Sequence, residues 1–574
     1  MIWQHDTQIL KDQIIVIEHL IEQGRYLEAR SLTMKAIARD ADIRIQQLHA
    51  LALSKSGMPV AAKDFLEKVY IIHPEDAETA GILGGIYKEL FKQTEDSEYA
   101  IQSRDTYLKN FSITGSYYTG INAATMSAIA GQARKGREIA QEVISKIGET
   151  QSFWEIATLG EAYLLTKDYK KSIELYQKAR QLAGMDWGMI SSVHNQLWLI
   201  SHYMNVPSEI LKIFNPPAVA AFVGHMIDRP DRPSPRFPSS IEGAVKEAIR
   251  ASIQSNKIAI GYCSLACGGD ILFAEAMEEE GGEVNIFLPF NKEDFIRESV
   301  SFAGGNWTER FDALMSKHPV HFITHENYDN HPDLFSMQSK VVLGTTLLRR
   351  SMVHSDAFLL TVLSDFDFSK LEGGTRDNMS LWPFKDKVIN ISPNNYLTNP
   401  QAGTGDAISM QKPLPSNVRP ALYTLVIDTE ITGEWEKLSE KIQGAFEDAV
   451  VPPLAFCTRD SRLLIGFSSL RPLIDFTYLL SKTKGVNLSH LRLSINGGPI
   501  ALDDFHEKDT VKYKVMTGAH LDIALDGHQF SMPGSCIALS PIAYELPLHN
   551  VEIELLSRVN LENGEAAEVF KVLG

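Results

Sequence analysis

The chain has 574 residues, of which 44% are hydrophobic and 22% charged, and its formal net charge is −17. That length suits three or four domains at ~150 residues each, and so acidic a chain repels nucleic acid unless it carries a basic patch, of which the sequence shows none sustained. No run of ~18 uncharged apolar residues occurs, and the start, MIWQHDTQILKDQ, has neither a basic head nor an apolar core. The cysteines, Cys263, Cys267, Cys457 and Cys536, form no CxxC pair. We therefore expect a cytoplasmic protein with reduced thiols, without a membrane span, secretory signal, zinc ribbon or disulfide framework.

From about residue 8 to 205, apolar residues recur every three to four positions and strand alternation is absent, which reads as consecutive amphipathic helices. Breaks at Gly24, Gly57, Gly131 and Lys167-Asp168 divide them into antiparallel pairs, and such pairs stack into a solenoid. The clearest unit is FWEIATLGEAYLLTKDYKKSIELYQKA. Taken singly, its residues read as core. Together, Leu159, Gly160, Ala162, Tyr163, Tyr169, Tyr176 and Ala179 resemble the tetratricopeptide (TPR) pattern. SYYTGINAATMSAIAG and DWGMISSVHNQL also resemble the TRAFs-binding helical-repeat region shared by apoptosis signal-regulating kinases and many bacterial proteins, over about residues 90–205. That resemblance implies a scaffold with a protein partner, and no kinase motif follows. A TPR-like all-α solenoid is expected over residues 1–210.

Past residue 217 the pattern changes. AVAAFVGH, KIAIGYCSLACGGD, EVNIFLPF, VHFITHE, AFLLTVL and KVINIS are short apolar, β-rich runs alternating with helical stretches. Such alternation predicts a parallel sheet covered on both faces, over residues 217–393. Three glycine clusters fall where strands end: Gly224-His225, Gly268-Gly269-Asp270 and Gly373-Gly374-Thr375. Ligands of open α/β sheets bind at the carboxyl ends of strands, and glycine lets backbone approach a phosphate there. Ser264 and Thr375 add hydroxyls, and Asp270 suits either a helix cap or a ribose hydroxyl. The plainer alternative is that the glycines make tight turns and that His225 is structural. Arg229, Arg232 and Arg236 lie in the proline-rich stretch DRPDRPSPRFP, either a solvated loop or a flap that brings arginine to phosphate. FVGH, ACGGD and GGT resemble the SLOG superfamily, a Rossmann-like group of nucleotide-binding and nucleotide-hydrolysing domains. The hydrolase signature PGGxGTxxE is incomplete here, since Glu372-Gly373-Gly374-Thr375-Arg376-Asp377 lacks its proline, second Gly-Thr and glutamate. The resemblance therefore implies binding rather than hydrolysis.

A linker rich in Gly, Pro, Ser and Asn spans residues 394–419. From 420 to 574 the pattern is α+β: ALYTLVID is a strand, EWEKLSEKIQGAFEDA a helix, and LAFCTRDSRLLIGF a hairpin turning at Arg459-Asp460-Ser461. LRLSINGGPI, KYKVMTGAHLDIAL and CIALS complete a small sheet with helices. These segments resemble the ferredoxin-like class III adenylate/guanylate cyclases. That resemblance implies Mg²⁺ held by Asp460 with Glu430 or Asp428. It also places Asp522 and Asp526 where an asparagine and an arginine are needed, and acid there repels a triphosphate. The module is expected to be a degenerate, inactive cyclase that serves as an oligomerisation or regulatory module, with a homodimer expected by analogy.

The expected function is that of a bacterial-type signalling protein. Its middle domain binds a nucleotide or nucleotide-derived messenger, its TPR-like arm relays that state to a protein partner, and it is not an enzyme. An active cyclase, a nucleoside-monophosphate hydrolase and a ligand-free structural adaptor are the alternatives.

Overall fold

The computed structural model describes residues 2–22, 25–38, 42–184, 186–229, 232–330, 332–364, 378–397, 421–429, 435–459, 461–507 and 510–573. It divides into two compact units, Met1–Pro216 with Leu556–Val559, and Pro217–Leu555 with Asn560–Gly574.

The first unit is a stack of helix pairs: α1 (Ile2–Glu22), α2 (Tyr26–Ile37), α3 (Ile43–Lys55), α4 (Pro59–Ile72), α5 (Ala77–Thr94), α6 (Ser97–Thr114), α7 (Tyr117–Ile129), α8 (Ala133–Ile147), α9 (Phe153–Leu165), α10 (Tyr169–Ala183), α11 (Trp187–Tyr203) and α12 (Ser208–Ile213). Aspartates open several of them. The carboxylates of Asp42, Asp76, Asp96, Asp168 and Asp186 accept from backbone N–H groups of the first turn, which have no partner within the helix. The breaks expected at Gly57, Gly131 and Lys167 are real and adopt φ of 80°, 79° and 68°. Gly24 lies outside the described residues.

Two pairs share one packing device. Ser103 donates its hydroxyl to the carbonyl of Gly84, and Ser172 to that of Gly160, both at 2.8 Å. One turn further on, the rings of Tyr107 and Tyr176 lie so close that a Cβ on Gly84 or Gly160 would meet them at 2.7 and 2.8 Å. Glycine in mid-helix costs about 1 kcal/mol in propensity, offset here by burying a whole tyrosine against bare backbone. A polar thread crosses alternate helices. Lys88 of α5 donates to Gln196 of α11 (2.7 Å), Gln196 donates to Glu161 of α9 (2.7 Å), and Thr125 of α7 donates to Glu161 (2.5 Å). Burial pushes the Glu161 carboxyl up and the Lys88 amine down, each against the pull of the other's charge.

The second unit opens with β1 (Ala218–Gly224), α13 (Glu242–Ser255), β2 (Ile258–Cys263), α14 (Gly269–Glu279), β3 (Glu283–Leu288), α15 (Lys292–Ser299), α16 (Trp307–Lys317), β4 (Val320–Phe322), α17 (Asp333–Val353), β5 (Ala357–Val362) and β6 (Val388–Asn390). Its six strands run parallel in the order β4-β3-β2-β1-β5-β6. All residues of β5 are buried, as a strand covered on both faces requires. The direction of winding reverses between β1 and β5.

The chain continues through β7 (Ala421–Thr429), α18 (Trp435–Gly444), β8 (Ala455–Arg459), β9 (Arg462–Phe467), α19 (Leu470–Lys482), β10 (Leu491–Pro499), β11 (Ala501–Glu507), β12 (Thr510–Thr517), α20 (Ala519–His528), β13 (Ser535–Leu539), β14 (Glu552–Asn560) and β15 (Ala566–Leu573). Seven strands form a mixed sheet in the order β14-β15-β13-β10-β7-β9-β8. The hairpin expected between residues 454 and 467 is β8–β9. KYKVMTGAHLDIAL is divided: its first half is β12, paired with β11 in a ribbon of its own, and the rest begins α20. The closing strands β14 and β15 have no counterpart in the sequence reading.

The parallel-sheet and mixed-sheet parts of this unit meet along α17, which packs on the 3₁₀ turn Ile542–His549. The approach is tightest at Gly344, where a Cβ would lie 1.8 Å from the carbonyl oxygen of Tyr544. Gly344→Ala must force these backbones apart and should cost at least the 1–3 kcal/mol typical of overpacking. In α13, a Cβ on Gly243 meets nothing within 4 Å, so Gly243→Ala should gain up to about 1 kcal/mol. Urea unfolding of the two variants checks the opposite signs.

Candidate functional site

The carboxyl ends of β1 and β2 bound a cleft of about 380 Å³ that includes Gly224, Ser264 and Asp270. Its far walls come from α15, through Phe295 and Glu298, and from α17, through Phe335, Gln338 and Ser339. Three of the expected site residues are therefore together in one depression. Asp270, in the first turn of α14, is only 8% exposed, and its Oδ2 accepts from Ala266 N–H at 3.2 Å. Burial pushes its carboxyl up to about 7, against that one hydrogen bond. The same burial raises the neighbouring thiols, Cys263 well above its ordinary value and Cys267 to about 12.

The glycine turns are tied to one another by backbone. Gly269 N–H donates to the His225 carbonyl (3.0 Å), and Ile227 N–H to the Cys267 carbonyl (3.1 Å). Gly268 has φ of 103°, and a Cβ there would sit 2.6 Å from Ile227 N, so this position requires glycine for close approach as well as for conformation. His225 is buried; its backbone N–H donates to the Val362 carbonyl, and its Nε2 accepts from Ser364 N–H at 3.2 Å. The residue thus fastens the end of β1 to the end of β5. Gly373, Gly374 and Thr375 lie outside the described residues. The arginine-rich loop is pinned by Asp228, whose Oδ2 accepts from the N–H groups of Arg236 (2.6 Å) and Phe237 (2.7 Å). Arg232 lies 3.4 Å from Asp228, and Arg229 stacks over Phe302.

In the mixed sheet, Asp428, next to last in β7, lies directly opposite Arg492 of β10. It is 4% exposed and accepts a bidentate pair from Arg492, Nε to Oδ1 at 2.7 Å and Nη2 to Oδ2 at 2.5 Å. His528 Nε2 stands 3.2 Å from Oδ1, Arg462 Nε is 3.7 Å from Oδ2, and Ser494 Oγ holds the other imidazole nitrogen at 2.7 Å. Burial alone would raise this carboxyl; the hydrogen bonds and charges of His528 and Arg492 outweigh it and bring it to about 2. With both oxygens engaged by cations, Asp428 does not fit the role of a Mg²⁺ ligand. Among the described residues, no three His, Cys, Asp or Glu side chains gather as a metal site. Glu430 and Asp460 lie outside the described residues. On α20, Asp522 accepts from Arg459 at 2.6 Å, and Asp526 Oδ2 accepts from Glu562 N–H at 2.5 Å.

Residues 25–127 match the family model described as Tetratricopeptide Repeats-Sensor. No curated protein matches the chain. Among solved structures, the chain is similar to a thermophilic TPR protein of Thermus thermophilus, with 18% identity, a TM-score of 0.28, and coverage of 33% of this chain and 98% of that one. It is also similar to the adenylyl cyclase CyaB from P. aeruginosa, at 9% identity and a TM-score of 0.22, covering 27% and 95% of the two chains. The guanylate cyclase domain of RhGC from Catenaria anguillulae gives 10% identity and a TM-score of 0.23, covering 27% and 97%. At these TM-scores the structural likenesses carry no argument about function.

The Asp428 cluster sets an acid limb. A carboxyl held at about 2 in the fold, against its ordinary 3.8, adds stability that is complete above about pH 4 and is lost as pH falls through about 2. Asp428→Asn leaves guanidinium and imidazole groups without their anion and should cost roughly 3–5 kcal/mol at pH 7. Its deficit relative to the parent should shrink as pH falls from 4 to 2. Denaturant titrations at a series of acid pH values measure this convergence. The helix-pair architecture and the family match together identify the N-terminal arm as TPR-like repeats.

Proposed function

We propose that this chain is a signalling protein whose parallel-sheet domain binds a nucleotide or nucleotide-derived messenger. Its TPR-like arm binds a protein partner, and its C-terminal domain is a cyclase-like module without cyclase activity. The observation that carries the reading is the cleft at the carboxyl ends of β1 and β2, next to the point where the sheet reverses its winding. A buried carboxylate in such a cleft, with no cation beside it among the described residues, is the kind of group that ligand binding uses. The six-strand parallel order supports a Rossmann-like, SLOG-type domain. The run β7-α18-β8-β9-α19-β10, with spatial order β10-β7-β9-β8, supports a ferredoxin-like module.

α17 supplies a route from ligand to module. One stretch of it, Phe335 to Val342, walls the cleft, while Lys340 and Gly344 contact the turn Ile542–His549. A ligand that moves or stiffens this helix acts on the mixed sheet through rigid contacts.

The cyclase alternative is disfavoured by charge. A triphosphate brings about four negative charges and needs metal ions and an arginine to offset them. Asp428 is already neutralised within the fold, and Asp522 and Asp526 stand on α20.

Three outcomes follow. In a thermal-shift series of nucleotides with the full chain, at least one ligand at 100 times its dissociation constant should add ~2.7 kcal/mol of stability. The same ligand should slow amide exchange in residues 542–549; a ligand that protects only the cleft would break the proposed route. Purified protein with Mg²⁺ or Mn²⁺ should make no cyclic nucleotide from ATP or GTP, and product that disappears in Asp460→Ala would restore the cyclase reading.

A further inference from the structure

The polar groups of the cleft are one-sided. Asp270 and Glu298 bring carboxyl groups, Glu298 already accepting from Arg297 Nε at 3.0 Å, and none of the described residues lining the cleft is a lysine, arginine or histidine. Gln338, 7% exposed, donates one N–H of its Nε2 to the Phe287 carbonyl at 3.1 Å, which leaves its amide oxygen and a second N–H. Ser339, 4% exposed on the same turn of α17, has a buried hydroxyl with no partner among the described residues. A buried hydroxyl without a partner is costly and marks a place where a ligand or water completes the hydrogen bond. The remaining lining includes the rings of Phe222, Phe295 and Phe335. The cleft thus offers acceptors, hydroxyls and aromatic surface, and its described lining brings no fixed positive charge.

A phosphate is the wrong occupant for such a space. Its charge would enter a space whose described lining supplies no cation, and a charge taken out of water without a partner is costly. The nucleoside end of a nucleotide is the reverse: uncharged, flat on one side, and rich in donors through its ribose hydroxyls and ring or amino N–H groups. Resting on the nucleotide-binding reading above, we infer that the cleft takes the nucleoside moiety, with Asp270 and Ser339 as its hydrogen-bond partners. The phosphate stays outside the cleft. The binding energy then resides mainly in the nucleoside, and the site discriminates against free phosphate and pyrophosphate. This reverses the order of importance that the glycine clusters suggest, because the turns at Gly224 and Gly268-Gly269 are already committed to each other through backbone contacts.

The test titrates the full chain with adenosine, guanosine, their 5′-monophosphates and pyrophosphate, by calorimetry and by melting temperature. At least one nucleoside should bind within about tenfold of its monophosphate, and pyrophosphate should not bind. Asp270→Asn and Ser339→Ala should each weaken that nucleoside by roughly tenfold or more while keeping the parent's circular dichroism and unliganded melt. Should either variant fold poorly, Ser339→Cys supplies a nearly isosteric replacement with the same expected loss. Binding of pyrophosphate and the monophosphates without the nucleosides would overturn the inference and leave the nucleotide reading standing. Nucleoside binding unaffected by these variants would also overturn it. If neither nucleosides nor monophosphates bind, both readings fail.

Discussion

The packing of α17 against the turn Ile542–His549 is the contact on which the second unit depends. The glycine at 344 lets backbone meet backbone, and a buried charge cluster sits beside it. Glu545 is fully buried; it accepts from the Tyr423 hydroxyl at 2.5 Å, and Lys340 (3.5 Å) and His549 (3.2 Å) stand against its other oxygen. A carboxylate in that position is tolerable only with partners from several elements. Those partners come from α17, β7 and the turn itself. Tyr544 adds its ring to Phe287 of β3 and its hydroxyl to Glu568 of β15 at 2.5 Å, so strands of both sheets converge on one turn. Two sheets of different topology are thereby held as one compact unit.

This arrangement gives the cleft its character. Its outer wall is the helix that carries this contact, so Gln338 and Ser339 are held on a rigid element rather than on a loop. Pre-organised acceptors favour a ligand with matching donors and add little ordering cost on binding. In the TPR-like arm, the polar thread from Lys88 through Gln196 and Glu161 to Thr125 has a comparable role, since buried polar groups must be satisfied together and so fix the register of alternate helices.

Much of this is legible in the sequence. The helix pairs announce themselves through periodicity and through Gly57, Gly131 and Lys167, and the parallel strands through apolar runs such as AFLLTVL. Gly224, Ser264 and Asp270 can be found because they follow strands in the chain. Glu298, Gln338 and Ser339 cannot, because they come from helices whose facing sides only tertiary packing decides. Asp428 reads as a metal ligand in the sequence because its partners are distant: Arg492 lies opposite it through strand register, and His528 is on a helix that the sequence leaves merged with the preceding strand. A salt bridge across β7 and β10 has no local signature. The glycines at 268 and 269 do mark a turn, but backbone close approach accounts for them more directly than a phosphate does.

The central claim is that a nucleotide occupies the cleft between Asp270 and Ser339. A crystal structure of the full chain grown with the tightest-binding nucleotide tests it most directly. The account predicts density for base and ribose between α14 and α17, with hydroxyl or amino groups within hydrogen-bond distance of Asp270 and Ser339. Density for the nucleotide at any other place, with the Ser339 hydroxyl still unpartnered, would contradict it.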